Sequence, residues 1–127
     1  MNMDVVIALA AVVAGGTLIV AGVLKLSSVE WPADAAALGV GTRLARPVPF
    51  VEIALGAMVA MRLATPWTSI AMIALVVGFS LVIVRAMRSE VPPVCACFGS
   101  FDRRPVGFGH LARNGLLVAL TAVSATG

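Results

Sequence analysis

The sequence has little of the charge that a water-soluble domain carries, and it contains no tyrosine. Only 12% of its 127 residues are charged and 61% are hydrophobic, whereas an ordinary globular domain is about a quarter charged. We therefore expect lipid to be the natural solvent of this chain. Low-complexity tracts and long repeats are also absent, which excludes disordered and repeat architectures. A chain of this length forms one domain.

The formal net charge of +3 does not indicate binding to nucleic acid. The basic residues lie in short loops between apolar runs and form no basic patch interleaved with aromatic side chains. In a membrane protein, such charges indicate which loops face the cytoplasm. The partner that the composition predicts is the lipid bilayer.

Four segments predict membrane-spanning helices, over about residues 5–25, 48–63, 67–87 and 108–126. The first apolar run, from Val5 to Leu24, has no charge and is about 20 residues long, which matches the hydrocarbon core of a bilayer. It is longer than the apolar part of a signal peptide and no basic residue precedes it, so we interpret it as a membrane helix. Because lipid cannot satisfy free backbone groups, the sequence predicts an all-α, integral membrane four-helix bundle over residues 1–127.

Small residues in these segments predict close approach between helices. They are Gly15, Gly16, Gly56, Ala60 and Gly78. At any one of these positions, however, a small residue is equally well explained as an ordinary component of a membrane helix.

The basic residues are distributed unequally between the two predicted faces. The first and third loops share one face, which carries Lys25, Arg43, Arg46, Arg85, Arg88, Arg103, Arg104 and, at a helix start, Arg113; the opposite face has only Arg62. Short basic loops stay in the cytoplasm. The pattern therefore predicts a bacterial inner-membrane protein with both termini outside and the third loop, residues 88–107, on the cytoplasmic face.

Several polar residues lie inside the predicted helices. A carboxylate such as Glu52 within a membrane helix is by default a functional candidate, but it would serve equally well as the partner of Lys25 at the same face. His110, Arg113 and Asn114 follow an i, i+3, i+4 spacing, so they share one side of the fourth helix. We expect that side to face the interior of the bundle, toward Glu52 or toward the cysteines.

The two cysteines of the chain, Cys95 and Cys97, lie two residues apart in "VCACFGS". A structural zinc site needs about four ligands, and no recognisable spacing completes one here, so we predict no metal site. Two buried thiols could instead pack as small hydrophobic groups. A third interpretation is redox exchange, because a strained bridge between such close cysteines is readily reduced. Arg103 and Arg104 would then favour the reactive thiolate.

Four segments, "AGVLKL", "PFVEIALG", "CACFGS" and "HLARNGLLV", resemble the methylamine utilisation protein MauE family, within the broader MauE/DoxX group of small membrane proteins. The specific part is the Cys-x-Cys-Phe-Gly element followed by an Arg-Asn helix, although Ala96 stands where glycine is expected. The resemblance implies a membrane thiol:disulfide role in maturation of methylamine dehydrogenase, with Cys95 and Cys97 as the redox pair. A quinone as electron acceptor is implied only by analogy with other disulfide-forming membrane proteins.

Two functions follow as hypotheses. In the first, Cys95 and Cys97 exchange with a protein thiol or disulfide partner, above a supporting polar cluster of Lys25, Glu52, Arg103, Arg104, His110, Arg113 and Asn114. In the second, the chain is a noncatalytic DoxX-like subunit that stabilises a larger membrane complex. A transporter would require a homo-oligomer, since 127 residues are too few for a pore. The first hypothesis conflicts with the predicted topology, because disulfide formation normally occurs outside the cytoplasm.

Overall fold

The computed structural model describes residues 2–28, 31–65, 67–88 and 107–126. Over these ranges the regular structure is entirely helical, which confirms the predicted all-α class. The helices are α1 (Met3–Ser27), α2 (Trp31–Ala37), α3 (Thr42–Ala45), α4 (Val48–Ala60), α5 (Trp67–Met87) and α6 (Phe108–Ser124).

Helices α1 and α5 are the two described helices that are long and apolar enough to cross a membrane, by length and composition. Both expose large apolar side chains around much of their circumference, among them Leu9, Val12, Ile70 and Leu81. Such side chains suit a lipid environment. By contrast, the 13 residues of α4 extend only about 20 Å at 1.5 Å per residue, against a hydrocarbon core of about 30 Å.

Local sequence signals explain where the helices begin. The side chain of Asn2 accepts a hydrogen bond from the backbone N–H of Asp4 at 3.2 Å, which caps α1. Helix α4 begins after Pro47 and has Pro49 in its first turn, where a missing backbone N–H disrupts no helical hydrogen bond. At the start of α6, the ring of His110 accepts a hydrogen bond from the backbone N–H of Gly107.

The closest helix pair is α1 with α4, which pack together far more extensively than any other pair. A Cβ built on Gly56 would lie 2.6 Å from the carbonyl oxygen of Gly15, and one built on Gly22 would lie 2.7 Å from that of Pro49. Only glycine allows this approach of the two backbones. Gly16 and Gly78, by contrast, face open space.

The remaining long helices, α5 and α6, pack against the α1–α4 pair and complete an apolar core. Helix α6 packs against both α5 and α1, whereas α4 and α5 make much smaller contact. Side chains of α1, α4, α5 and α6 meet in one apolar cluster, formed by Ala14, Leu18, Val59, Met72, Val76 and Leu117. The short helices α2 and α3 are joined by a hydrogen bond from the indole N–H of Trp31 to the carbonyl of Ala45, at 2.9 Å.

Candidate functional site

A buried ion pair lies where α1 ends and α4 begins. Lys25 Nζ is 2.5 Å from Glu52 Oε1, and the two side chains are 2% and 1% exposed. Each charge needs the other, because an unpaired charge away from water is strongly unfavourable. The sequence left two roles open for Glu52, a functional carboxylate or the partner of Lys25. The structure shows the pairing with Lys25.

Two aromatic rings enclose the ammonium group of Lys25. Its Nζ lies 5.1 Å from the ring centre of Trp31 and 4.8 Å from that of Phe79, both within the distance of a cation–π interaction. Trp31 is held in place by its hydrogen bond to Ala45. Lys25 thus has one anionic partner and two aromatic partners, supplied by α2, α4 and α5.

A small cavity of about 20 Å³ adjoins the ion pair, and α1, α4, α5 and α6 all contribute to its walls. The residues that line it are Thr17, Leu18, Ala21, Lys25, Glu52, Val76, Phe79, Arg113, Asn114 and Leu117. This volume is enough for about one water molecule. The second carboxylate oxygen of Glu52, Oε2, is buried and has no hydrogen-bond partner among the described residues, so it is the acceptor that such a water would satisfy.

Two of the three polar residues singled out in the fourth predicted helix, α6, line this cavity. Arg113 and Asn114 both line it, and Asn114 also donates a hydrogen bond from Nδ2 to Ser80 Oγ at 3.2 Å. His110 is buried as well, but its ring lies at the helix start, where its Nδ1 accepts from Gly107. The structure therefore gathers Lys25, Glu52, Arg113 and Asn114 around one cavity, whose lining does not include His110.

The predicted redox residues, Cys95, Cys97, Arg103 and Arg104, lie outside the described residues. Their segment connects Arg88, just beyond α5, to Gly107, at the start of α6. Those helix ends lie at the same end of the structure as the Lys25–Glu52 pair. Within the part of the chain that the structure describes, no three His, Cys, Asp or Glu side chains are grouped as a metal site would require.

The quinone implied by analogy does not fit the central cavity. Sites for cofactors and drug-sized ligands occupy about 300–1,000 Å³, and this cavity measures about 20 Å³. The cavity thus has room for about one water molecule and is too small for a quinone ring.

Three contributors to the site were missed from the sequence. They are Trp31 and Phe79, whose rings enclose Lys25, and Ser80, which accepts a hydrogen bond from Asn114. Ser80, in the middle of α5, was an available signal, because a mid-helix hydroxyl in lipid needs a partner.

Together, the all-helical fold, two helices apolar enough to cross a bilayer and an ion pair buried between helices indicate a helical membrane protein. A family described as "Methylamine utilisation protein MauE" matches residues 3–127, essentially the whole chain. The chain belongs to this family, as the motifs predicted. No curated protein and no solved structure matches the chain.

Proposed function

We propose that the protein is a small membrane component of methylamine utilisation in which Cys95 and Cys97 exchange thiols and disulfides with a partner protein. Family membership over residues 3–127 supports the association with methylamine utilisation. The role of the cysteines is supported by the position of their segment in the chain. The segment with both cysteines joins α5 to α6 at the end where four helices surround Lys25 and Glu52.

The chemistry is that of thiol–disulfide exchange. A thiolate attacks one sulfur of a disulfide, a mixed disulfide forms, and the second thiol of the pair resolves it. When the Cys95–Cys97 bridge oxidises a partner dithiol, the partner loses two electrons and two protons and the bridge becomes two thiols. Arg103 and Arg104 would stabilise the Cys95 or Cys97 thiolate that leaves the bridge in this direction, and the attacking thiolate when the reduced pair acts on a partner disulfide.

The polar cluster serves this scheme as a rigid support. Lys25 and Glu52 link the end of α1 to the start of α4, and Asn114 links α6 to Ser80 in α5. The second contact joins α5 and α6, the two helices that the cysteine segment connects, and the first joins their neighbours α1 and α4. His110, which accepts a hydrogen bond from the backbone amide of Gly107 just before α6, supports the same end.

In the proposed arrangement, α1, α4, α5 and α6 form a four-helix bundle in the bacterial inner membrane. The basic residues near this end, including Arg43, Arg46, Arg85 and Arg88, put the cysteine segment on the cytoplasmic face by the positive-inside rule. An oxidising role for exported proteins requires the opposite orientation. The side of the membrane therefore determines which substrates the cysteine pair can reach.

Labelling with a membrane-impermeant maleimide tests the proposal, in intact and in opened cells, with and without prior reduction. Labelling that requires reduction shows a native disulfide, and labelling in intact cells places it outside. Because the chain has only two cysteines, the Cys95→Ser/Cys97→Ser variant is a control that should take up no label. Failure of the native protein to label under every condition would contradict the exchange role.

The alternative function is that of a noncatalytic subunit in a larger membrane complex. The observation that favours it is the rigid α1–α4 pair, in which glycine contacts and a buried ion pair serve stability without a reactive group. Replacing both cysteines by serine separates the two functions. Oxidation of the partner should be lost if the cysteines react, and it should persist if the protein only stabilises a complex.

A further inference from the structure

An apolar groove runs along the outside of the protein between α4 and α5, and α3 closes one end of it. Its volume is about 440 Å³, and its walls include Leu44, Val51, Gly78, Phe79 and Val82. The groove exists because α4 and α5 make little direct contact. Gly78 widens it, since a Cβ at this position would meet no atom within 4 Å.

Three arginines are close in sequence to groove residues at the end of the groove near α3. Arg43 precedes the groove residue Leu44, Arg46 precedes Pro47, and Arg85 follows Val82 by one helical turn. All three side chains are exposed. Helices α3, α4 and α5 contain one acidic residue, Glu52, which is buried and paired with Lys25, so the rim of the groove carries a net positive charge.

We infer that this groove binds one anionic phospholipid, with an acyl chain along α4 and α5 and the acidic headgroup at Arg43, Arg46 and Arg85. The groove volume falls within the range of sites that enclose small ligands. Basic residues at the end of a membrane helix attract acidic headgroups. An apolar channel continuous with a basic rim matches the two parts of such a lipid. The inference rests on the proposed membrane location and does not depend on the thiol chemistry.

The lipid would also reach the polar cluster through Phe79. One side of this ring lines the groove, and the ring centre lies 4.8 Å from Lys25 Nζ. A chain in the groove would therefore press Phe79 toward the lysine. Occupancy of the groove and stability of the Lys25–Glu52 pair are coupled in this arrangement.

Native mass spectrometry of the full chain, released from nanodiscs of equal phosphatidylglycerol and phosphatidylcholine, tests the inference. We expect one phosphatidylglycerol to remain bound in preference to phosphatidylcholine. Arg46→Gln should reduce the retained anionic lipid about fivefold, the factor that corresponds to one basic residue near a charged lipid surface. Arg62→Gln removes the same charge at the far end of α4 and should leave retention unchanged.

A second variant tests the groove itself. Gly78→Leu fills the groove, so it should abolish retention of the lipid while helicity is preserved. Gly115→Leu is the matched control, because Gly115 is an exposed helical glycine with open space around it that does not line the groove.

Three outcomes would overturn the inference. They are equal retention of both lipids, full retention by Gly78→Leu, and a change of oligomeric mass in Gly78→Leu, which would make the groove an interface between copies. Failure of maleimide labelling with intact lipid retention would contradict the exchange role alone. Successful maleimide labelling without lipid retention would contradict the lipid site alone.

Discussion

Lys25 and Glu52 are 27 residues apart in sequence, yet Nζ of the lysine and Oε1 of the glutamate meet at 2.5 Å in the interior of the protein. The contact joins the last turn of α1 to the second turn of α4 and is enclosed by the rings of Trp31 and Phe79. It is the central polar interaction of the candidate site, and the stability of that end of the protein depends on it.

Removing one member of the ion pair should destabilise the protein strongly. In Glu52→Gln the charge of Lys25 stays buried without its anion, and we expect the free energy of unfolding to fall by about 3–5 kcal/mol. Unfolding in mixed detergent micelles, followed by circular dichroism, measures this change. The double variant Lys25→Met/Glu52→Leu should recover most of the loss, since apolar residues of similar volume replace both charges. Equal instability of the double variant would contradict this account.

Two adjacent glycines should respond to the same substitution with opposite signs. Gly15→Ala forces a methyl group into the backbone of Gly56 and should cost about 1–3 kcal/mol of stability. Gly16→Ala adds its methyl group in open space and should stabilise the helix by about 0.5–1 kcal/mol. Thermal unfolding of the two variants side by side checks this contrast. A similar loss in both would mean that α1 and α4 do not approach through Gly15.

The ring of Phe79 should contribute to the stability of the lysine site through its charge distribution. Phe79→Leu keeps an apolar side chain but removes the cation–π interaction, with an expected cost of about 0.5–2 kcal/mol. Part of any measured loss comes from altered packing, so the variant is repeated in the Lys25→Met/Glu52→Leu background, which removes the cation without leaving Glu52 unpaired. The cost should be smaller there. An unchanged cost in both backgrounds would assign the effect to packing alone.

The arginines within the cysteine segment should increase the reactivity of the thiols. If Arg103 and Arg104 stabilise thiolate, their replacement by glutamine lowers the thiolate fraction at neutral pH and slows alkylation of Cys95 and Cys97. Stopped-flow alkylation of the reduced protein measures the rate. High salt should narrow the difference between native and variant proteins, because salt screens exposed charges. Identical rates at low salt would remove the arginines from the proposed mechanism.

The sequence predicted the helices whose signal lies in composition alone. Helices α1 and α5 lie on the two longest apolar runs, which can be recognised without knowledge of the neighbouring helices. The four residues of α3 were not predicted, because so short a helix has no periodic pattern and depends on tertiary contacts such as the bond from Trp31 to Ala45.

The sequence predicted the part of the candidate site that lies at helix ends, because a residue at a helix end has a known depth in the membrane. Lys25 lies at the end of one predicted helix and Glu52 near the start of the next, on the same face of the membrane. The sequence therefore predicted that the two residues lie at similar depth and could pair. The contact between Phe79 and Lys25 was not predicted, because α5 is mostly apolar around its circumference and its sequence does not show which aromatic side chain faces the lysine. For the same reason the sequence could not distinguish Gly15, which touches α4, from Gly16, which does not.

The long separation between Lys25 and Glu52 has a consequence for biosynthesis in the proposed membrane setting. At about 5–20 residues per second, the ribosome adds the 27 residues up to and including Glu52 in about one to five seconds. During this interval α1 is already complete, and its lysine has no anion to neutralise it. Lys25 is in the last turn of α1, so its long side chain can stay at the headgroup layer until Glu52 leaves the translation machinery. Packing of α4 against α1 then moves the lysine into the interior of the protein. Helix α1 therefore reaches its final depth in the membrane only after α4 has packed against it.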